Sequence, residues 1–119
     1  MLKKYSSLSL IDRLKPAGVA ICALYSAFLF AETPVLEIEI REHLFYPSEI
    51  VIPANVKVKL FIKNLDPTPE EFESYELNRE KVISGNSQTI IFIGPLPAGE
   101  YPFFGEFYPK TAQGMVLVK

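Results

Sequence analysis

The chain has 119 residues, with one cysteine, one histidine and no tryptophan, and apolar residues make up 49% of it. This length predicts a single domain, and the apolar share excludes a disordered chain. The formal net charge of -2 offers no basic patch for nucleic acid, so we expect no nucleic-acid partner. One cysteine excludes an internal disulfide framework and a cysteine-rich zinc site.

Residues 1–31 differ in composition from the rest of the chain. They hold four basic residues against one acid, Asp12, and residues 17–31 carry no charge. A basic front, an apolar stretch and a closing alanine are typical of a secretory signal peptide, and the stretch is shorter than the ~20 residues of a membrane span. We therefore expect a signal peptide over residues 1–31, cut after Ala31. The alternative is an uncleaved membrane anchor, because Leu29 is larger than the small residue preferred before a cleavage site.

The exported part would then be residues 32–119, a periplasmic domain without cysteine. It holds 8 lysines and arginines against 13 acidic residues, a net charge of -5. It therefore has no thiolate to ligate copper, zinc or an iron–sulfur cluster. Contact with a membrane is expected only if the leader is retained.

The domain is predicted to consist of short strands. In chain order, the predicted strands cover residues 35–40, 49–52, 56–63, 70–77, 88–93, 101–107 and 113–119. Alternation places Leu36, Ile38 and Ile40 on one face of the first strand. Residues 70–77 alternate poorly, and a short helix after Thr68 is the alternative there. Strands of this length, with turns every 8–12 residues, predict an all-β sandwich of the Greek-key type. In such sandwiches Tyr101, just after Gly99, would form a tyrosine corner.

Several segments resemble the cupredoxin family. The segments Gly99–Phe104 and Gly114–Val118 resemble the last two strands of small blue copper proteins, whereas Phe45–Pro47, Ile50–Ala54 and Val58–Asn64 resemble the first three. The resemblance covers residues 36–119. It implies a Greek-key β-sandwich of the cupredoxin type for residues 32–119.

Four shorter segments are similar to stand-alone EfeO-type cupredoxin-like domains. They are Pro69–Ser74, Arg79–Ile83, Gly94–Leu96 and Gly105–Phe107. Domains of that type are associated with periplasmic iron uptake. The resemblance therefore implies a metal-binding accessory of iron uptake, with iron or copper as the ion and an iron permease or a periplasmic iron-binding protein as the partner.

A type 1 copper centre needs two histidines and one cysteine, with a weak axial methionine or glutamine. The resemblance places the first histidine position at Glu70, the cysteine position at Gly105 and the second histidine position at Tyr108. The axial position falls at Gln113. Because every strong ligand is missing, type 1 copper and blue copper electron transfer are excluded.

Acidic residues lie at or beside two of the positions where the resemblance expects copper ligands. In the cupredoxin fold the segments around residues 70–73 and 106–108 converge at one end of the sandwich. The candidate metal-ligating residues are Glu71, Glu73, Glu106, Tyr108 and His43. Carboxylate and phenolate oxygens suit hard ions such as iron or manganese and do not suit Cu(I).

Structural interpretations of the same residues stay open. The glutamates can be solvated surface, Glu106 can pair with Lys81 or Arg79, and Arg79 can pair with Glu80. Tyr108 can be a packed rim residue, and His43 a hydrogen-bonded residue at a strand end. Phe103, Phe104 and Phe107 are expected to pack in the core.

Three functions fit the sequence. The first is the metal-binding accessory, and the second is a metal-free interaction module that docks a partner through its acidic end. The third, a ferrous-iron oxidase, needs an electron acceptor that the residues do not supply. No nucleophile–base pair or phosphate-binding loop is present, and a single histidine excludes most acid–base enzymes.

Overall fold

A computed structural model describes residues 32–119, and the predicted signal peptide lies outside these residues. The described residues form nine strands: β1 (Val35–Arg41), β2 (Leu44–Tyr46), β3 (Glu49–Ile52), β4 (Val58–Asn64), β5 (Glu70–Ser74), β6 (Arg79–Ile83), β7 (Ser87–Ile93), β8 (Gly99–Gly105) and β9 (Gln113–Val118). Within this part of the chain there is no helix capable of crossing a bilayer.

The strands form two sheets that pack face to face. One has four strands in the order β2-β1-β4-β7, and the other has five in the order β3-β9-β8-β5-β6. The pairs β1–β4 and β3–β9 are parallel, and the remaining neighbours are antiparallel. The predicted all-β sandwich is therefore confirmed.

The core lies between the sheets because each strand places alternate side chains inward. In β4, Val58, Leu60 and Ile62 are fully buried while the residues between them are only partly buried. Two core phenylalanines, Phe72 and Phe103, have ring centroids 4.9 Å apart and join the two central strands of the larger sheet. Burial of each such side chain contributes about 1.5–3 kcal/mol.

Two strands differ from the sequence prediction. Strand β2 covers residues 44–46 and β6 covers residues 79–83, and neither range is among the strands predicted from alternation. β2 has three residues, too few to show alternation. β6 is an edge strand with the sequence R-E-K-V-I, and only Ile83 in it is buried. The segment predicted as extended over 70–77 ends as a strand at Ser74 and continues as a turn.

The tyrosine corner is present. The Tyr101 hydroxyl donates a hydrogen bond of 2.9 Å to the carbonyl oxygen of Pro97, four residues upstream. This bond ties the start of β8 to the preceding connection, as the Gly99–Tyr101 pattern predicts.

Three loops meet at one end of the sandwich. Asn64, at the end of β4, is buried, and its side-chain amide donates to the carbonyl oxygens of Thr68 and Ile83. Asp66 follows, and its carboxylate accepts hydrogen bonds from the backbone N–H groups of Glu42 (2.7 Å) and His43 (2.9 Å). The β4–β5 loop therefore fixes the β1–β2 turn, in which both residues have positive φ.

Candidate metal site

A buried carboxylate fills the sandwich end where the resemblance expects copper. Glu70 is 1% exposed. Its Oε1 accepts hydrogen bonds from the backbone N–H groups of Glu71 (2.9 Å) and Phe107 (3.0 Å). Its Oε2 is buried without a hydrogen-bond partner among residues 32–119. Glu70 thereby links the start of β5 to the β8–β9 loop.

This arrangement does not fit a type 1 copper centre. A Cβ added at Gly105 would lie 2.7 Å from Glu70 Oε2 and 2.8 Å from the Cβ of Ala112. A cysteine at this position therefore has no room, and Gly105 is needed for the close approach of the carboxylate. Tyr108 and Gln113 supply no thiolate or imidazole, so the donors at this end of the described domain do not form that centre.

Three carboxylates converge on the outer face of the larger sheet. Glu71 and Glu73 alternate with the buried residues of β5, so both point outward. Glu80 on β6 pairs directly with Glu73 across the strands. Oxygen atoms of Glu71, Glu73 and Glu80 all lie within 4.8 Å of one another. We call these three residues, together with the neighbouring Glu106, the acidic patch.

Repulsion within the acidic patch changes its titration. The pKa of Glu71 is raised to about 7 by a hydrogen bond to Glu80, followed by partial burial and the charges of Glu80, Glu73 and Glu106. Partial burial, and then the charges of Glu80 and Glu106, raises the pKa of Glu73. Like charges opposed across strands are destabilising. Among residues 32–119, no lysine or arginine forms an ion pair with these glutamates.

The expected ion pairs with Arg79 and Lys81 are absent from the described residues. Arg79 instead donates through Nε to the carbonyl oxygen of Phe92 (2.8 Å) and through Nη1 to that of Asn78 (2.9 Å). The two ion pairs within residues 32–119 are His43–Asp66 and Lys63–Glu37. The predicted ion pair between Arg79 and Glu80 does not form.

His43 and Tyr108 form a separate pair. Their rings stack with centroids 3.7 Å apart and planes inclined by 19°. The Nδ1 atom of His43 is 3.6 Å from Oδ2 of Asp66, which holds the imidazole at the loop end. His43 and Tyr108 therefore contact each other. Among residues 32–119, neither belongs to the cluster of three converging carboxylates.

The sequence did not identify Glu80 as a candidate ligand, and it predicted Glu106 within a strand over residues 101–107, whereas β8 ends at Gly105. Glu106 is exposed beyond the end of β8, and its backbone N–H donates to the carbonyl oxygen of Glu71 (2.9 Å). Phe107, expected in the core, is 47% exposed. A signal for Glu80 exists: Asn78 has φ 53° in the turn between β5 and β6. An asparagine turn after an extended segment predicts a hairpin, which would pair Glu73 with a residue shortly after Asn78.

Comparisons with known proteins establish the family. The family model described as "Cupredoxin-like domain" matches residues 16–118. The chain therefore belongs to the cupredoxin-like family. An uncharacterized protein of Rickettsia prowazekii (strain Madrid E) is 41% identical over 83 residues, which cover 70% of this chain and 66% of that protein. The match thus spans just under two thirds of the relative's length.

Solved structures of copper proteins share the fold. The Cu(I)-bound metal-binding domain of the CopA P-type ATPase from Streptococcus pneumoniae D39 has a TM-score of 0.65 and 16% identity, covering 75% of this chain and 90% of that domain. Auracyanin A from Chloroflexus aurantiacus has a TM-score of 0.63 and 15% identity, covering 74% of this chain and all of that one. Identities this low show the fold alone.

Proposed function

We propose that this protein is an exported, periplasmic cupredoxin-like domain that binds a hard metal cation at the acidic patch, as an accessory of iron uptake. The observation that carries the proposal is the convergence of Glu71, Glu73 and Glu80 within 4.8 Å, without an ion pair to a lysine or arginine among residues 32–119. A hydrogen bond to Glu80, partial burial and the neighbouring charges raise the pKa of Glu71, and a cation bound there would offset those charges.

The donor chemistry favours iron over copper. All three converging ligands are carboxylates, which suit hard ions, whereas Cu(I) prefers sulfur ligands. The resemblance to EfeO-type domains supports iron and supports an iron permease or a periplasmic iron-binding protein as the partner. His43 and Tyr108 do not belong to this site and stack on each other at the loop end. The side chain of His43 is 35% exposed, and Tyr108 is 39% exposed.

Metal-dependent melting of the domain tests the proposal. The melting temperature should rise with ferrous, ferric or manganous ions, because an ion at a hundredfold excess over its dissociation constant stabilises the folded state by about 2.7 kcal/mol. In a domain of this size each kcal/mol corresponds to roughly 4–8 °C. Glu80→Gln should abolish the rise, and Glu106→Gln should reduce it. Both should raise the melting temperature of the metal-free protein.

Glu100→Gln is the matched control, because Glu100 is an exposed glutamate on β8 that does not belong to the acidic patch. This variant should keep the full metal-dependent rise. An identical melting temperature of the parent with and without iron, manganese and copper would refute the metal site.

A docking module is the second candidate function. Exposed apolar side chains lie beside the acidic patch: Tyr75 is 73% exposed and Val82 is 53% exposed. A basic segment of a partner could neutralise the glutamates while covering these side chains. In this case the metal-dependent rise is absent, and Glu80→Gln weakens capture of the partner.

A further inference from the structure

The outer face of the smaller sheet carries lysines above exposed apolar side chains. Ile90 and Phe92 on β7 are 46% and 42% exposed, and Val35 at the start of β1 is 62% exposed. Lys59 on β4 pairs with Val35 on one side and with Phe92 on the other. Together with Lys57, which precedes β4, these residues form what we call the basic–apolar face.

The two lysines of this face lie over an aromatic ring. The Nζ atoms of Lys57 and Lys59 are 4.7 and 5.7 Å from the centroid of the Phe92 ring. Neither lysine has an ion-pair partner among residues 32–119, whereas Lys63, farther along β4, pairs with Glu37 at 3.1 Å. The uncompensated positive charge is therefore concentrated beside Val35 and Phe92. Lysine heads beside exposed aromatic and aliphatic side chains suit the boundary between anionic headgroups and acyl chains.

Val35, in the basic–apolar face, lies close in sequence to the predicted leader. The charge-free residues 17–31 end four residues before Val35, and four extended residues span at most about 14 Å. During the proposed export, residues 17–31 would occupy the membrane while Val35 is still tethered this close to it. On the proposed export, Val35 would leave the translocation site close to a membrane, whether the leader is then cut or retained.

The opposite charge of the two sheets orients the domain. The acidic patch lies on the outer face of the other sheet, and packed sheets are about 10 Å apart. This separation is comparable with the Debye length of about 10 Å at 0.1 M salt, so the repulsion of the acidic patch by an anionic surface is screened. In a docked domain, Lys57 and Lys59 would lie nearer the surface than the acidic patch and would outweigh it, although Glu37 and Glu39 share the outer face of the smaller sheet and residues 32–119 have a net charge of -5.

We propose that the basic–apolar face docks on an anionic phospholipid bilayer and holds the acidic patch toward the aqueous side. The inference rests on the proposed export but requires no metal. A docked domain would present any cation or partner bound at the acidic patch beside the membrane. The interaction is weak and reversible, since each lysine near an anionic surface adds only a small electrostatic attraction.

Vesicle co-sedimentation of residues 32–119 tests the proposal without metal. The domain should bind vesicles that contain phosphatidylglycerol and should not bind pure phosphatidylcholine vesicles. Salt at 0.5 M should release it, because the Debye length then falls to about 4–5 Å. The double variant Lys57→Glu/Lys59→Glu should bind at least about tenfold more weakly. Phe92→Ser should also weaken binding.

Matched control variants distinguish a specific effect of the basic–apolar face from a general effect of net charge or hydrophobicity. Lys81→Glu/Lys110→Glu makes the same change in net charge on other surfaces, and Tyr75→Ser removes an exposed ring from the larger sheet. Both should bind as the parent does. Equal loss in both lysine double variants, or no binding by the parent, overturns the proposal. Self-association without vesicles that Lys57→Glu/Lys59→Glu abolishes would instead assign the face to a second copy of the chain.

Discussion

Glu71 and Glu70 are neighbours in sequence but face opposite sides of the same sheet. Glu70 points inward and accepts two backbone hydrogen bonds, whereas Glu71 points outward into the acidic patch. Alternation along a strand separates them completely, because successive side chains lie on opposite faces. One glutamate therefore stabilises the loop end, and the other belongs to a repulsive cluster.

The raised pKa of Glu71 predicts a pH-dependent stability. Between the ordinary value of 4.5 and about 7, the folded state holds a proton at Glu71 that the unfolded state releases. The metal-free domain should therefore lose stability as the pH rises through this window and should melt at a higher temperature at pH 5 than at pH 8. Melting in the presence of a chelator measures this. Glu71→Gln should remove most of the decrease, and a decrease of equal size in that variant would contradict the assignment.

The sequence predicted some site residues and missed others for physical reasons. Glu71, Glu73 and Glu106 were recognised because the resemblance to cupredoxins brings the segments around residues 70–73 and 106–108 together at one end of the sandwich. The inward placement of Glu70 was not predicted, because an isolated glutamate is almost always exposed. Its burial depends on the backbone N–H group of Phe107, which is 37 residues away in the chain. Contacts of this range arise only from the completed fold.

Among the elements, the long alternating strands were predictable and the short edge strands were not. β1 and β4 show clear alternation because each has one face in the core. β6 exposes most of its residues at a sheet edge, so its sequence carries no such pattern. Its partner β5 was uncertain for a related reason: it contains a buried glutamate and a buried serine.

The tyrosine corner predicts a measurable loss of stability. Tyr101→Phe removes the hydroxyl that donates to the carbonyl oxygen of Pro97 and leaves the ring in place. The free energy of unfolding should fall by about 1 kcal/mol. Urea unfolding of the variant measures this change. Tyr46→Phe is the control, because Tyr46 is 39% exposed and its ring is contacted by the Arg41 guanidinium rather than tied through its hydroxyl. A similar loss in both variants would show that the corner bond adds nothing specific.

For the whole molecule, the leader prediction decides whether the functional form is residues 32–119 or the full-length chain. The basic front and the charge-free stretch to Ala31 predict export followed by cleavage. Mass spectrometry of the protein from its native host should find an N-terminus at or near Glu32. A full-length species in the membrane fraction would favour the anchor. Vesicle binding by residues 32–119 would remain informative in either case, since it needs no leader.

The carboxylate of Glu70 has a consequence for assembly in the cell. In this chain the loop end is held by hydrogen bonds between Glu70 and the backbone of residues 71 and 107. These hydrogen bonds use only residues of the chain itself, so they form as soon as the domain folds. Folding of this end of the domain therefore requires no metal ion as a ligand of Glu70. If the protein serves iron uptake as proposed, the domain can fold before any iron is bound.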